Sequence, residues 1–429
     1  MVKQKINIGL LGLGTVGSGV PVILETNKEK ITQITGADIS IKKALVRNEE
    51  RKAFFNGKYN FELTTDFDDI LNDDNIQIVV ELIGGIEPAK TYITKALEKG
   101  KCVVTANKDL LAQYGSTLVS TAKRNKADLF FEGSVAGGIP ILRTIANSLS
   151  ADNINKVFGI VNGTTNYILT QMSSESKSYA EALKEAQELG FAESDPTNDV
   201  EGIDAAYKMV ILSQFAFGMN ITIDQVDVVG ITNLSTFDIE VARKLGYEIK
   251  LIGLTQKINE SLSVEVAPML VPIDHPLASV RNEFNAIFIS SYGVGESMYY
   301  GPGAGSKPTA TSVVSDVIQV VKNLRLETSG HRFNAYKDKT KYSTDDEVFG
   351  KYYFSIELQD KSGQMLLITQ IFADIGVSFE QILQPRTKGD IASAVMTTHA
   401  CSKAQMKEVA KRLSELPNFK VLKTLKILE

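Results

Sequence analysis

Ile6-Asn7-Ile8-Gly9-Leu10-Leu11-Gly12-Leu13-Gly14-Thr15-Val16-Gly17 decides the fold. A short strand runs without interruption into a Gly-x-Gly-x-x-Gly turn. Val16, Val20, Ile23, Leu24 and Ile31 then recur at helical spacing, and a second strand is expected from Asp38 to Val46. Three glycines at this spacing mean little alone. Between a strand and a helix, with another strand beyond, they make a dinucleotide-binding unit. Gly12 makes the turn, Gly14 lets the backbone approach a pyrophosphate, and Gly17 permits close helix–strand packing. The phosphates would rest on the helix N-terminus, whose N–H groups have no other partner.

The end of the second strand bears on which dinucleotide is used. NAD-specific units place an acid there for the ribose hydroxyls. Here the strand ends Leu45-Val46-Arg47-Asn48, and Asp38 sits at its start. Arg47 suits a 2′-phosphate, which favours NADP(H), whereas Glu49 and Glu50 keep NAD(H) open.

Further out, strands are expected at Ile76–Leu82, Cys102–Thr105 and Leu129–Glu132, with a helix from Pro88 to Lys99. Such alternation predicts a parallel, doubly wound α/β sheet whose ligands gather at the strand carboxyl ends. Lys108 and Glu132 both fall at such ends. The carbonyls of the glycine-dense run Glu132 to Pro140 could bend around a small hard cation, or form a plain tight turn. Asn162-Gly163-Thr164-Thr165-Asn166-Tyr167 offers amides and hydroxyls to a polar ligand, or an Asn-Gly turn with a helix cap.

The densest chemistry lies in Ala192 to Lys208, where acids crowd a proline turn before a helix. Pro196 biases Asp195 toward extended backbone, so the helix begins after it, with Asn198 or Asp199 as its cap. Asp204 and Lys208 stand one turn apart, and Glu193 and Asp199 are available from the preceding loop. A lysine among carboxylates holds its proton and can donate it to a carbonyl oxygen. An exposed i,i+4 salt bridge is the competing reading.

Composition bounds the rest. With 429 residues, two or three domains are expected; 43% hydrophobic and 23% charged residues describe an ordinary globular chain. A net charge of −5 gives no reason to expect nucleic acid or an anionic membrane as partner, and no apolar run is long enough to span a bilayer. Cys102 and Cys401 read as reduced thiols, and the N-terminus has no signal-peptide core, so a cytoplasmic protein is expected. The three histidines, His275, His331 and His399, are scattered and make no zinc or iron site.

Four blocks emerge: a dinucleotide-binding domain over 1–140, completed by a helix over 305–326; a mixed α+β substrate domain over 141–304; a polar linker over 327–349; and a unit over 350–429. The last reads strand Tyr352–Leu358, helix Gln364–Ile375, strands Val377–Gln384 and Ile391–His399, helix Lys403–Leu416 and strand Lys420–Leu428. That βαββαβ order predicts a ferredoxin-like split fold.

Gly12-x-Gly14-Thr15-Val16-Gly17, Thr105-Ala106-Asn107-Lys108, Glu132-x-x-Val135-x-Gly137-x-Ile139-Pro140, Asn162 to Tyr167, Gly190-Phe191-Ala192-Glu193-x-Asp195-Pro196 through Asp204-x-x-x-Lys208, and Gly303-x-Gly305 together resemble homoserine dehydrogenase over essentially the whole chain. The C-terminal unit resembles an ACT domain. The resemblance implies NADPH-dependent reduction of L-aspartate 4-semialdehyde to L-homoserine. It makes Lys208 the proton donor, held by Asp204, with Lys108 lining the site. It implies substrate contacts from Glu193, Asp199, Asp204, Gly190, Asn162 and Thr164. Cofactor contacts come from the glycine turn, including Thr15 and Val16, and from Arg47, Gly84, Thr105, Lys108, Gly190, Glu193, Gly303 and Gly305. Glu132 with the carbonyls of Val135, Gly137 and Ile139 would hold a monovalent cation, sodium. A homodimer or homotetramer and a threonine effector on the ACT unit are also implied. Pro302 and Asp109 depart from residues often found in the family. Aspartate-semialdehyde dehydrogenase chemistry needs a nucleophilic cysteine that Cys102 and Cys401 supply poorly. A non-catalytic dinucleotide and amino-acid sensor would not need an acid-held lysine.

Overall fold

The computed structural model describes residues 4–330, 341–384, 390–417 and 419–429. His331 and the rest of 331–340, the middle of the expected linker, lie outside them. A first sheet of six parallel strands is built from β1 (Gln4–Leu11), β2 (Ala37–Leu45), β3 (Glu62–Thr64), β4 (Ile78–Glu81), β5 (Cys102–Thr105) and β6 (Leu129–Phe130). Their order is β3-β2-β1-β4-β5-β6, so the chain reverses its winding between β1 and β4. That reversal opens a crevice at the strand carboxyl ends, where the glycine turn lies.

The expected single helix behind the glycines is two. One runs Gly19–Thr26 and the next Lys28–Thr35. At Asn27 (φ −110°, ψ 16°) the side-chain amide donates to the Ile23 carbonyl at 3.0 Å. A short polar side chain bonded to its own backbone competes with the helical ladder, which accounts for the break.

The second sheet is mixed. It contains β7 (Ile154–Ile160), β8 (Asp227–Val228), β9 (Tyr247–Ile258), β10 (Ser261–Pro272), β11 (Phe284–Ser291), β12 (Gly295–Pro302), β13 (Lys341–Tyr342), β14 (Phe349–Gln359), β15 (Phe379–Leu383), β16 (Ile391–Thr398), β17 (Cys401–Ser402) and β18 (Phe419–Ile427). Its main path is β12-β11-β7-β9-β10-β18-β14-β16-β15. The last four strands, with helices Gln364–Ile375 and Lys403–Ser414, have the strand–helix–strand–strand–helix–strand order read from the sequence. The join to the rest is narrow: β10 pairs with β18 only through Met269–Leu270 and Lys426–Ile427. Ion pairs Lys426–Glu265 and Lys403–Asp227 reinforce it.

Helix Ser306–Leu326 returns to the first sheet, as expected. Its Val313, Val317, Val320 and Val321 are fully buried in one apolar cluster with Ile8, Leu10 and Val20. At about 25 cal/mol per Å² of apolar surface, such valines stabilise the docking by about 1.5–3 kcal/mol each. A second cluster joins Leu110 and Leu111 of the first domain to Met209 and Ile211 on the lysine-bearing helix, Ile203–Phe217. The crevice between the domains therefore has packed walls. Among the described residues, no helix is long and apolar enough to cross a membrane.

Candidate active site

The glycine turn has the shape its spacing predicts. Gly12 has φ +98° and donates its N–H to the Leu45 carbonyl at 3.0 Å, which fixes the turn against the end of β2. A Cβ on Gly17 would stand 2.0 Å from the Gly12 carbonyl oxygen, whereas one on Gly14 would meet nothing within 4 Å. One glycine thus permits contact within the protein, and the other leaves backbone open to a ligand. Arg47 is exposed just beyond β2.

Gly19 packs on Ser306 and Ala310, which brings the turn's helix onto the start of helix Ser306–Leu326. That longer helix has Gly305 at its N-cap and no side-chain capping bond, so its first N–H groups are available. Gly303 and Gly305 line a cavity of about 520 Å³ between the domains. Lys108, Asn162, Thr164, Gly190, Asp199, Asp204 and Lys208 line it too. These backbone donors and the open Gly14 fit a dinucleotide laid from the turn into the cavity.

The cavity's polar centre is Asp204, which is 8% exposed. Its Oδ2 accepts from Lys208 Nζ at 2.6 Å and from Asn162 Nδ2 at 2.7 Å, and Oδ1 lies 3.2 Å from Lys108 Nζ. Burial alone would raise this carboxyl, but Lys208 and Lys108 outweigh it and bring it down to about 2. Lys208, 9% exposed, also donates to the Val161 carbonyl at 2.6 Å. An ammonium has three donors, so one remains for a ligand. Burial works against the charge on Lys108, but Asp204 and Asp109 keep its pKa above the ordinary value. Asn162 ties in Asp199 at 2.7 Å; burial and the neighbouring Asp204 push the Asp199 carboxyl up. A buried, hydrogen-bonded acid between two lysines is not a surface salt bridge.

The local backbone corrects one expectation. Neither Asn198 nor Asp199 caps the lysine helix. A separate turn, Thr197–Val200, follows Pro196 and takes its cap bonds from Asp195, whose Oδ1 accepts from the Thr197 N–H and hydroxyl. The main helix starts at Ile203 behind Gly202, which has φ +81°. Asp199 is thereby released toward Asn162. Glu193 differs as well: its side chain is exposed and does not line the cavity.

Thr105 and Gly84 meet through a residue the sequence reading missed. Glu81, fully buried at the end of β4, accepts from Ile83 and Gly84 N–H groups at 2.8 and 3.1 Å and from the Thr105 hydroxyl at 2.6 Å. Thr105 Oγ1 accepts from the Asn107 N–H, and Asn107 caps the helix that starts with Lys108. Glu81 therefore positions Lys108 through two intermediates. An acid ending the apolar run Ile78-Val79-Val80 was the available signal.

Glu132 lies in a tight turn after β6 rather than at a strand end. Its two carboxylate oxygens accept from the Leu142 and Arg143 N–H groups at 2.8 and 2.7 Å. The Gly137 carbonyl accepts from the Ser312 hydroxyl at 2.7 Å, and that of Ile139 from the Ile141 N–H at 2.8 Å. Val135 is fully buried beside them. Burial and the nearby Asp316 push Glu132 up to about 7, and burial pushes Asp316 up to about 6 despite its 2.5 Å pair with Arg143. Two acids thus face one arginine. Among the described residues, no group of three His, Cys, Asp or Glu side chains is placed to hold a metal. Cys102 is buried, which pushes its thiol up to about 11 and removes it as a nucleophile.

Comparison with known proteins points to one family. The family model described as homoserine dehydrogenase, NAD binding domain, matches residues 12–132, and that described as homoserine dehydrogenase matches residues 140–318. The homoserine dehydrogenase of Lactococcus lactis subsp. lactis (strain IL1403) is 47% identical over 99% of both chains. That of Bacillus subtilis (strain 168) is 47% identical over 96% of both. The solved homoserine dehydrogenase of Thiobacillus denitrificans is 36% identical, with a TM-score of 0.94 over 100% of this chain and 99% of its own. A hyperthermophilic archaeal homoserine dehydrogenase solved in complex with NADPH is 29% identical, with a TM-score of 0.63 over 74% of this chain and 98% of its own. Likeness of this degree over the full length of both partners leaves one assignment: the chain belongs to the homoserine dehydrogenase family.

Proposed function

We propose that this homoserine dehydrogenase reduces L-aspartate 4-semialdehyde to L-homoserine, reversibly, with Lys208 as the proton donor. The observation that carries the proposal is the buried Asp204 carboxylate shared by Lys208 and Lys108 at the wall of the cavity. The bound dinucleotide supplies the hydride. Lys208, held by Asp204 and the Val161 carbonyl, directs its third N–H at the aldehyde oxygen. As the carbonyl electron pair moves onto that oxygen, Lys208 gives up a proton, leaving an alcohol and a neutral amine. Lys108 stabilises the same developing charge. Asp199, with Asn162, faces the substrate's ammonium group, and Gly190 and Thr164 close that side. Glu193, on the exposed loop, completes the ammonium site only if the loop moves inward.

NADP(H) is the proposed preference, through Arg47 on the 2′-phosphate. In an absorbance assay with L-homoserine, turnover is expected with NADP⁺ and more weakly with NAD⁺. Arg47→Ala should raise KM for NADP⁺ by about tenfold, the worth of one charge-assisted bond, and leave that for NAD⁺ unchanged. A variant that keeps the wild-type cofactor ratio removes Arg47 from the site. A wild type that binds the dinucleotide but turns over nothing would favour the sensor reading.

Glu132 with the Val135, Gly137 and Ile139 carbonyls is proposed to hold sodium, which would balance the excess negative charge beside Asp316 and brace the turn. Residues 1–140 with helix 305–326, 141–304 and 350–429 are proposed as dinucleotide, substrate and ACT domains. The element order and the β18-β14-β16-β15 sheet support a ferredoxin-like unit. Gly363, at φ +91°, opens helix Gln364–Ile375 without a side-chain cap, which suits an amino acid's carboxylate after the turn Asp360–Gly363. Millimolar threonine should therefore lower activity or raise Tm. No change in either removes threonine as the effector.

A further inference from the structure

A second polar pocket, of about 210 Å³, lies at the far end of the helix Gly163–Ser174 from the cavity of the proposed active site. Thr170, Ser173, Arg243, Glu248, Lys250 and Arg281 line it, and none of them lines the larger cavity. Lys250 is 3% exposed. Its ammonium donates to the Asn166 side-chain carbonyl at 3.1 Å and the Val280 carbonyl at 2.5 Å, which leaves one of its three donors unspent. Among the described residues it has no carboxylate partner. The nearest acid along the wall, Glu248, is occupied by Arg243 at 3.3 Å and the Ser173 hydroxyl at 2.6 Å. Arg281 is exposed at the rim and forms no ion pair among the described residues.

The hydroxyls have no donor to spare. Thr170 donates to the Asn166 carbonyl, Ser173 to Glu248, and Ser174 to the Thr170 carbonyl. The Ser173 carbonyl, at the helix's negative end, is covered by Arg243 at 2.6 Å. What remains is cationic donor capacity without an acceptor. A buried charge without a counter-ion is costly, and the cost disappears when an anion enters.

We infer that this pocket binds a small phosphate-class oxyanion between Lys250 and Arg281. A buried ammonium and a guanidinium at the rim around a space of this size suit a compact multivalent acceptor, and a neutral ligand would leave both charges unmet. The state of Lys250 agrees: burial, which Glu248 opposes and Arg281 reinforces, brings its pKa down to about 8, so it is charged near neutral pH and unrelieved. Asn166, which accepts from Lys250, also donates to the Asn282 and Phe284 carbonyls at 2.9 and 3.2 Å. An anion seated there would brace the segment that carries Arg281.

Isothermal titration of the full chain, saturated with dinucleotide, tests the inference with inorganic phosphate and with glycerol 3-phosphate at constant ionic strength. One saturable site per chain is expected. Arg281→Ala, on an exposed side chain that does not threaten folding, should weaken it at least tenfold, and Lys250→Met should abolish it. Tighter binding of the ester would identify a phosphorylated metabolite as the source, and tighter binding of inorganic phosphate the free ion. Equal affinity in wild type and Arg281→Ala overturns the proposal, as does absence of heat with both probes. If phosphate fails and Arg281→Ala instead lowers self-association by sedimentation, the missing acceptor is a carboxylate of a second copy, and the proposal is likewise overturned.

Discussion

Lys208→Ala should lower kcat by about 10²–10⁴-fold, the range for loss of a positioned general acid, while the dinucleotide still binds with wild-type affinity. The separation follows from placement. Lys208 stands on the helix Ile203–Phe217, and the glycine turn is built from β1 and the helix Gly19–Thr26, so truncation leaves the turn untouched. Nor should the variant unfold. Asp204 keeps Lys108 at 3.2 Å and Asn162 at 2.7 Å, and therefore retains a cation and a donor after the loss of its closest partner. Steady-state turnover together with a fluorescence titration of the dinucleotide would separate chemistry from binding. Lys108→Ala should cost less in kcat, because Lys108 is a third exposed and its bond to Asp204 is the longer one. Should Lys208→Ala retain wild-type kcat, the proton-donor role passes to Lys108. If both variants lose dinucleotide affinity instead, the pair serves binding rather than proton transfer.

What the sequence made legible was local. The glycine turn could be read because three glycine positions have separate steric demands, and the Gly12 and Gly17 contacts bear this out. Asp204 and Lys208 meet because they are one helical turn apart. The rest of the cluster depends on contacts between distant residues: Asn162 reaches Asp199 and Asp204 across 37 and 42 positions, and no spacing rule foretells that. Glu81 was passed over because its partners, Gly84 and Thr105, belong to two strand ends that only the sheet brings together. The expected cap at Asn198 or Asp199 failed because Gly202, free to adopt a left-handed conformation, lets the chain restart the helix three residues later. β9 escaped notice since its centre is buried on both faces and shows no alternation. β12 is half exposed at the sheet's edge and ends in Gly301-Pro302, residue types that interrupt a strand pattern rather than extend it.

Asp204→Asn should be the most destabilising conservative change in the site, and its signature is acid sensitivity. The folded carboxyl sits at about 2, below the ordinary value of 3.8. A group depressed in the folded state contributes stability that is complete above its unfolded pKa and is lost as pH falls toward the folded one. The relevant window is therefore from about pH 4 down to about pH 2, and the contribution is about 2 kcal/mol. The amide has no such titration. It also leaves Lys208, 9% exposed, without an anion, and presents an amide nitrogen where two donors already point. Removing one member of a buried ionic cluster costs about 3 kcal/mol. Thermal melts of both proteins between pH 2 and 7 would read the two effects together. The variant should melt lower near neutrality, and the gap should narrow as the wild type loses its carboxylate in acid. Acids away from the cluster titrate equally in both chains and cancel in the difference; Asp199, which Asp204 helps to push up, is relieved in the variant and loses its proton more readily there. A gap that stays constant with pH would mean that Asp204 carries no depressed charge in the folded protein; no gap at all would mean that Lys208 finds its counter-charge elsewhere, with Asp199 the residue to examine next.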